Sequence, residues 1–488
     1  MATATQLPLS PGKLLIGGEW VAAAEGKTFS TINPATEEAI TELAMAGKAD
    51  SDRAVEAAHA ALTGPWGKMS AAERGRLLWR LAEKMREKAD DLALLEACDV
   101  GKPVSEVKHV DVQFAADTFE YFGGWSSKLH GDTIPVRGNN FNYTLREPLG
   151  VVACIVPWNF PLLMASWKVA AALSVGNTVV LKPSSTSPLT ALKLGELALE
   201  VDFPAGVLNV VTGPGREVGD ALVRHPLVDK VTFTGETETG KSIMRLAADG
   251  MKSVTMELGG KSPNVVFADA DLEAAVRGVI GGIFYNKGEV CAAGSRLLIE
   301  ASVHDEFMDK LVARAAKMVP GDPLDPKTRL GPLASRSQLE KVTGYVEAGT
   351  REGAKLACGG QRVDIGTGKG YFFQPTIFDG VTNQMTIARE EIFGPVLSSI
   401  VFKDLEEAVS VGNDSPFGLA AGVWTNDIKK AHRAARALRA GTVWVNTYNV
   451  YDPASPFGGY KFSGFGRELG AAALESYTRV KSVWVGLD

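Results

Sequence analysis

From about residue 150 onward, short apolar runs of the sequence alternate with segments of helical periodicity. The apolar runs have the length and composition of buried strands, and the first four span residues 151–156, 178–181, 207–211 and 230–234. Segments such as 190–200 and 219–224 lie between these runs and have helix-like spacing. Strand, helix and strand in this order predict an α/β fold with a parallel, doubly wound sheet. A second series begins near residue 261, with strands predicted at 264–267, 296–299 and 442–446, so we expect two α/β domains.

The chain before residue 150 has a different pattern. Ser70 and Glu73 have the spacing of a capping box, and apolar residues follow at helical spacing until Gly101 and Pro103 end a helical stretch. We therefore expect the first third of the chain to be helical. Residues 133–149 suit a β excursion, and residues 480–485 alternate like an edge strand that could pair with it, within or between subunits.

Size, charge and cysteine content exclude several classes of protein. A chain of 488 residues is too long for one ordinary domain. Its formal net charge is −6 with both signs scattered, so no basic stripe suggests nucleic acid or an anionic membrane. Four cysteines without a CxxC pair argue against a disulfide framework or a zinc site and for a reducing compartment. No leader pattern and no apolar window of spanning length is seen, so we expect a cytoplasmic protein without a membrane span.

Cys291 is the first candidate for chemistry. It lies in a stretch of small residues that begins at Asn286 and follows the aromatic pair Phe284 and Tyr285. A nucleophilic thiolate needs access and nearby backbone N–H donors, and small neighbours permit both. The alternative is a buried structural cysteine, and this stretch alone does not decide between them.

Two further polar residues stand at predicted strand ends. Glu257 follows a short apolar run and precedes Gly259 and Gly260, where burial would raise the pKa of a carboxyl group toward that of a general base. Asn159 follows another strand, where its amide could donate one hydrogen bond to an oxyanion and the Cys291 N–H another. The alternatives are a salt-bridged glutamate and a turn asparagine.

A nucleotide site is suggested more weakly. Lys182 follows the strand predicted at 178–181, and residues 233–240 run from a strand into a helix whose first N–H groups could face a pyrophosphate. The usual glycine fingerprint of dinucleotide-binding folds is absent, and each piece could be an ordinary strand-to-helix turn.

Taken together, these segments resemble the aldehyde dehydrogenase superfamily from about residue 15 to about residue 480. The resemblance rests on the order and spacing of the stretches 15–20, 155–161, 256–264, 390–396 and 456–461. Within that superfamily, the sequence is similar to the hydrolytic, NAD(P)-dependent class that includes the cytosolic, mitochondrial and retinal enzymes. It implies oxidation of an aldehyde to a carboxylic acid through a thioester, with NAD or NADP as the hydride acceptor that no side chain can replace.

The resemblance also implies residue roles. Cys291 would be the nucleophile, Asn159 and the Cys291 N–H would hold the oxyanion, and Glu257 would activate water for deacylation. The cofactor would contact residues at strand ends and in the cleft: Ile155, Trp158, Lys182, Ser185, Gly235, Glu236, Gly240, Leu258, Glu391 and Phe393. The aldehyde would enter an apolar tunnel lined by Phe160, Met164, Trp167, Val290, Tyr451 and Phe457.

The same resemblance implies a Rossmann-like cofactor domain, an α/β catalytic domain and a small β element for oligomerisation. We expect the cofactor domain at 1–129 and 149–260, the catalytic domain at 261–462, and the oligomerisation element at 130–148 and 463–488. A homotetramer or homodimer is expected, with a small-molecule aldehyde as substrate and no resident metal.

The chain departs from the family pattern at several positions. Ser185 replaces a common glutamate that binds the ribose hydroxyls and repels a 2′-phosphate, so NADP use is expected beside NAD. Glu236 replaces a common serine and is expected to turn outward or to pair with a base. Glu289 and Val290 replace the commoner Gln and Cys before the nucleophile.

Alternatives remain for the activity and the substrate. A CoA-acylating relative typically lacks the general-base glutamate, and a non-catalytic lens-type member would have lost one of the three catalytic residues. The aromatic tunnel suits aliphatic, aromatic or polyene aldehydes. None of its six expected residues is cationic, which disfavours a carboxylate-bearing semialdehyde. Betaine aldehyde remains possible because its cation could contact the aromatic faces.

Overall fold

The computed structural model describes residues 7–488. Its strands, in chain order, are β1 (Leu14–Ile16), β2 (Glu19–Val21), β3 (Thr28–Asn33), β4 (Glu38–Ala44), β5 (Thr133–Ile134), β6 (Asn140–Pro148), β7 (Val151–Ile155), β8 (Thr178–Lys182), β9 (Leu208–Val210), β10 (Val228–Thr234), β11 (Ser253–Glu257), β12 (Pro263–Val266), β13 (Arg296–Glu300), β14 (Lys355–Cys358), β15 (Thr376–Asp379), β16 (Val396–Phe402), β17 (Ala420–Trp424), β18 (Thr442–Val445), β19 (Gly464–Phe465) and β20 (Thr478–Gly486).

The helices pack on both faces of these strands. In chain order they are α1 (Lys48–Ala61), α2 (Pro65–Lys68), α3 (Ala71–Glu87), α4 (Ala89–Val100), α5 (Val104–Glu106), α6 (Val112–Trp125), α7 (Pro161–Ser174), α8 (Leu189–Glu200), α9 (Asp220–Arg224), α10 (Thr237–Ala248), α11 (Leu272–Phe284), α12 (His304–Ala315), α13 (Arg336–Arg351), α14 (Thr386–Arg389), α15 (Leu405–Asn413), α16 (Ile428–Ala437) and α17 (Gly470–Glu475). None of the helices within 7–488 is long and apolar enough to cross a membrane.

The first large sheet has eight strands in the order β19-β11-β10-β7-β8-β9-β1-β2. The five central strands are parallel, as the buried apolar runs predict, and β1 and β19 pair with them antiparallel. Their carboxyl ends are in register, since Lys182 pairs with Ile155, Ile155 with Phe233, and Thr234 with Glu257. Four strands therefore end along one edge of the sheet.

The second large sheet has seven strands in the order β14-β15-β16-β13-β12-β17-β18, all parallel except β14. The two mainly parallel sheets confirm the predicted α/β fold class.

A third, three-stranded sheet has the order β20-β6-β5. β6 and β20 pair antiparallel from Pro148–Thr478 to Asn140–Gly486, so the predicted excursion and the C-terminal strand pair within one chain. Residues 464–465 instead extend the first sheet beside β11, so the C-terminal contribution to the third sheet is Thr478–Gly486.

The prediction of a helical first third is wrong for residues 14–44 and correct for the helices α1 to α6. β1 and β2 form a hairpin on the edge of the first sheet, and β3 and β4 form a separate hairpin. Strands of three residues are too short to show a period in the sequence. The capping box is confirmed, since Ser70 Oγ accepts the Glu73 N–H at 3.3 Å and Glu73 Oε2 accepts the Ser70 N–H at 2.7 Å. Gly101, with φ +77°, ends α4.

Candidate active site

One cavity of about 660 Å³ brings together the three predicted catalytic residues, Cys291, Glu257 and Asn159. All six predicted tunnel residues line it, from Phe160 on the first half of the chain to Phe457 near its end. Six of the predicted cofactor residues line it as well, namely Trp158, Gly235, Glu236, Leu258, Glu391 and Phe393. Residues far apart in sequence therefore surround a single space.

The local backbone explains how Cys291 reaches this space. Glu257 is the last residue of β11, whereas Cys291 lies beyond α11, after a short turn at Tyr285–Gly288. Gly288 in that turn has φ +77°, and a Cβ there would lie 2.1 Å from the Gly394 carbonyl oxygen, so only glycine fits. The turn packs the cysteine loop directly against the chain that carries Glu391 and Phe393.

Asn159 is tied to the same loop. Its Nδ2 donates to the Glu289 carbonyl oxygen at 2.9 Å, and the Asn286 amide donates to the Asn159 carbonyl oxygen at 2.8 Å. A carboxamide carries two N–H donors, so one remains for another acceptor. Asn159 is buried, and the first contact holds its side chain and the second its backbone, which is the preorganisation that an oxyanion donor needs.

A buried ion pair stabilises the loop that leads to Cys291. Lys287 Nζ lies 3.0 Å from Glu289 Oε2, and the two side chains are 1% and 0% exposed. Lys287 also donates to the Val100 carbonyl oxygen at 3.1 Å, and Glu289 Oε1 accepts the Ala334 N–H at 3.0 Å. Because the Glu289 carbonyl binds Asn159, this pair positions the amide as well as the loop. The sequence identified Glu289 only as a departure from the family pattern, and Lys287 was missed.

Burial raises the pKa of the Cys291 thiol, and the charges of Glu257 and Glu391 raise it further. Burial likewise raises the pKa of Glu257 well above its ordinary range, and the negative charge of Glu468 adds to this effect. Burial and the neighbouring negative charges therefore disfavour the charged forms of both groups, and a carboxyl group whose pKa is raised in this way is suited to general-base catalysis.

Glu257 has one partner and one free oxygen. Its Oε1 accepts the Gly459 N–H at 3.2 Å, and its buried Oε2 has no hydrogen-bond partner among residues 7–488. Behind it, Lys168 Nζ donates to Glu468 Oε1, and both of these side chains are buried. Sequence reasoning missed this pair. A signal existed for Lys168, a lysine inside the apolar helix α7, whose 14 residues are all buried.

The remaining predicted cofactor residues lie outside the cavity lining. Ile155 and Lys182 stand side by side at the carboxyl ends of β7 and β8. Lys182 Nζ donates to the Pro183 carbonyl oxygen at 2.9 Å, and burial lowers the pKa of Lys182 to about 8. Ser185 Oγ donates to the Gly213 carbonyl oxygen at 2.8 Å. Gly240 lies on the first turn of α10, where a Cβ would approach Leu258 to 2.7 Å.

Glu391 and Phe393 close the other side of the cavity. Glu391 Oε1 accepts the Gly260 N–H at 2.9 Å, and burial raises the pKa of Glu391 to about 7. The Phe393 ring meets the Trp158 ring edge-on with centroids 5.3 Å apart. Glu236 is exposed where it lines the cavity, its negative charge raises the pKa of Glu391 slightly further, and it forms no ion pair with any residue of 7–488.

The predicted tunnel is an aromatic cluster. Trp167 and Tyr451 have ring centroids 6.3 Å apart, and each lies 5.5 Å from Phe457. Tyr285 stacks on Phe160 at 6.2 Å, and Phe114 packs on Trp167 at 5.8 Å. The sequence did not indicate Phe114, since nothing local separates it from other apolar residues of α6.

Comparison with known proteins agrees with this geometry. The sequence model described as "Aldehyde dehydrogenase family" matches residues 20–483. The chain is 48% identical to human retinal dehydrogenase 2 over 97% of its own length and 91% of that protein, and 48% identical to human mitochondrial aldehyde dehydrogenase over 99% and 95%. An NAD⁺ complex of aldehyde dehydrogenase from Bacillus cereus superimposes with a TM-score of 0.96 at 48% identity, covering 99% of this chain and all of that one. The indole-3-acetaldehyde dehydrogenase AldA of P. syringae, solved with NAD⁺ and IAA, gives 0.97 at 47% identity, with 99% and 98% covered. The chain therefore belongs to the aldehyde dehydrogenase family and is an oxidoreductase that acts on aldehydes.

Proposed function

We propose that this protein oxidises an apolar aldehyde, whether aliphatic, aromatic or polyene, to its carboxylic acid with NAD or NADP. The observation that carries the proposal is the single cavity that contains the Cys291 thiol, the Asn159 amide and the Glu257 carboxyl group, with aromatic side chains along one arm. The other arm reaches Glu391 and Phe393, beside the carboxyl edge of the first sheet.

The side chains divide the reaction between them. Cys291, after loss of its proton, attacks the aldehyde carbonyl, and the free Asn159 N–H and the Cys291 backbone N–H stabilise the oxyanion. The nicotinamide ring of a bound NAD(P) supplies the hydride acceptor, which leaves an acyl group on Cys291 as a thioester. Glu257 then takes a proton from water through its free Oε2, and the water hydrolyses the thioester.

The donor set fits a dinucleotide. Lys182, Ile155, Thr234 and Glu257 end adjacent strands, so from Lys182 to Glu257 the edge spans three strand spacings, about 14 Å. Lys182 and Ser185 would hold the adenosine ribose, the first turn of α10 the pyrophosphate, and Glu391 the nicotinamide ribose. NAD⁺ is bound in the B. cereus and P. syringae structures. Ser185 is neutral, so nothing at that position repels a 2′-phosphate, and we extend the proposal to NADP.

The three larger sheets suggest a division of the chain. We propose that residues 1–129 and 149–260 bind the cofactor and that 261–462 carry the nucleophile. For the third sheet we propose the oligomer contact, in a homotetramer or homodimer, because its strands expose large apolar side chains, among them Ile134, Phe141, Val480 and Trp484. The four cysteines are free thiols, which suits the cytoplasm as the location.

A substrate panel tests the proposal. Hexanal, benzaldehyde, retinal, betaine aldehyde and succinic semialdehyde would each be offered with NAD or NADP, with and without CoA, and the products identified. We expect a carboxylic acid from the apolar aldehydes and no acyl-CoA. Acyl-CoA as the main product would favour the CoA-acylating alternative, betaine aldehyde as the best substrate would favour cation–π recognition in the tunnel, and no turnover would contradict the proposal.

A further inference from the structure

One face of α11 forms the wall of the substrate arm. Arg277, Gly278 and Gly281 line the cavity and recur at the spacing of a helical face, and Tyr285, the first residue after α11, lines it as well. Tyr285 stands at the inner end, stacked on Phe160. Eight residues separate it from Arg277, which corresponds to about 12 Å along a helix axis. Arg277 therefore lies at the outer end of the arm.

The outer end is open. A Cβ at Gly281 would meet no atom within 4 Å, so no side chain narrows the passage there. Asn449 Nδ2 donates to the Gly281 carbonyl oxygen at 3.1 Å, and Val110 opposite is 45% exposed. We call the outer part of the arm, lined by Arg277, Gly281, Asn449 and Val110, the tunnel mouth.

Besides the catalytic residues, two charged side chains line the substrate arm, Asp111 and Arg277. Only Arg277 is free to bind a ligand. Asp111 is fully buried, receives a hydrogen bond from Lys102 Nζ and another from the Tyr285 hydroxyl at 3.1 Å. Arg277 is exposed and makes no ion pair or side-chain hydrogen bond with any residue of 7–488.

The natural partner of Arg277 is already occupied. Glu273, one helical turn earlier, lies 2.6 Å from Lys310 Nζ on α12. Arg277 and Arg314 also act on Glu273 and lower its pKa, after the larger effects of Lys310. Lys310 also pairs with Glu306 at 3.7 Å, so both nearby carboxylates are held by Lys310. Arg277 keeps its positive charge free and is the one charged residue among the four that define the tunnel mouth.

We propose that Arg277 selects aldehydes that carry a carboxylate at the far end of an apolar chain. The inference rests on the proposed function and refines its substrate class to ω-oxo carboxylic acids of medium length. The six expected tunnel residues contain no cation, whereas Arg277 lines the same cavity. The proposal therefore departs from the expectation that carboxylate-bearing aldehydes are disfavoured, for those aldehydes long enough to reach the mouth. At about 1.2 Å per bond of an extended chain, eight to ten bonds span about 10–12 Å, so 9-oxononanoate has a suitable length and succinic semialdehyde is too short.

The test compares 9-oxononanoate with nonanal, which has the same chain without the charge. In the wild type, kcat/KM should favour 9-oxononanoate at low ionic strength, and added NaCl should reduce the preference. Arg277→Gln should lower kcat/KM for 9-oxononanoate about fivefold, the size of a guanidinium–carboxylate contact at a partly exposed site, with most of the change in KM. Nonanal should be oxidised as by the wild type.

Arg314→Gln is the matched control, because it removes the same charge from the same neighbourhood but from a residue that does not line the cavity. Arg314→Gln should leave kcat/KM for both 9-oxononanoate and nonanal at the wild-type values. Equal effects of the two variants, or an Arg277→Gln variant that keeps the wild-type preference while still oxidising nonanal, would overturn the role of Arg277 and leave the proposed function standing. A wild-type protein that oxidises neither compound would overturn both.

Discussion

Replacing Glu468 by Gln removes the buried negative charge that opposes ionisation of Glu257. The substitution keeps the size of the side chain and its contact with Lys168. The negative charge of Glu468 raises the pKa of Glu257 more than the positive charge of Lys168 lowers it. Removal of the Glu468 charge should therefore lower the pKa of Glu257.

The magnitude follows from the strand register. Glu468 Oε1 lies 3.5 Å from Thr232 Oγ1, and Thr232 pairs with Thr255, two residues before Glu257. This register places Thr232 and Glu257 about 8 Å apart. Because Glu468 contacts Thr232, we take this spacing as the separation of the two carboxylates. Two unit charges about 8 Å apart interact by about 2 kcal/mol at an effective dielectric constant of about 20. Since one pKa unit corresponds to about 1.4 kcal/mol, and Lys168 offsets part of the effect, we expect a shift of about one unit.

The assay is the pH dependence of deacylation. The acyl-enzyme would be preformed with an activated ester such as 4-nitrophenyl acetate, and the loss of the acyl group followed by mass spectrometry of quenched samples. A general base works as its carboxylate, so the rate should rise with pH through the pKa of Glu257. In Glu468→Gln the midpoint should move about one unit toward acid.

Glu475→Gln provides a control, because Glu475 is exposed on α17 and makes no ion pair within the described chain. Its pH profile should match that of the wild type. A Glu468→Gln profile that is unshifted, or shifted toward alkaline pH, would refute the reasoning about Glu257.

Three other predictions concern the base, the loop and the cofactor. Glu257→Gln should form the acyl-enzyme with a burst of one NAD(P)H per site and then turn over at least about a hundredfold more slowly, as rapid-mixing absorbance would show; full steady-state turnover would require another base. Lys287→Met leaves the Glu289 carboxylate buried without its cation, which should lower the free energy of unfolding by about 3–5 kcal/mol. The thermal unfolding midpoint should therefore fall sharply, and the double variant with Glu289→Met should recover much of the lost stability. Ser185→Glu should lower kcat/KM for NADP at least about tenfold, which corresponds to about 1.4 kcal/mol, and should change kcat/KM for NAD little. A wild-type kcat/KM more than a hundredfold higher with NAD than with NADP would contradict the use of both cofactors.

The fold was largely predictable because its central strands are buried on both faces. The run 151–156 is a continuous apolar segment, 178–181 and 230–234 are mainly β-branched and apolar, and segments of helical spacing separate the runs. β1 and β2, in contrast, have three residues each. β1 takes its place from pairing with β9, nearly 200 positions away in the sequence, and β2 from pairing with β1. Local patterns carry no information about such a partner.

The site was predictable to a different degree for each residue. Cys291, Glu257 and Asn159 were identified because each lies in a recognisable stretch of sequence. Glu468 was not, because its role depends on the long-range contact of its carboxylate with Lys168. Arg277 was not, because a solvated arginine on a helix looks ordinary until the helix is seen to line the cavity.

The account depends on Cys291 carrying the acyl group, and peptide mass spectrometry measures this directly. The Glu257→Gln variant would be mixed with hexanal and NAD, quenched in acid within the burst, and digested. We predict a hexanoyl mass increment on the peptide that contains Cys291 and none on those with Cys98, Cys154 or Cys358. A hexanoyl group on another cysteine, or hexanoate formed at the wild-type rate by Cys291→Ala, would contradict the account.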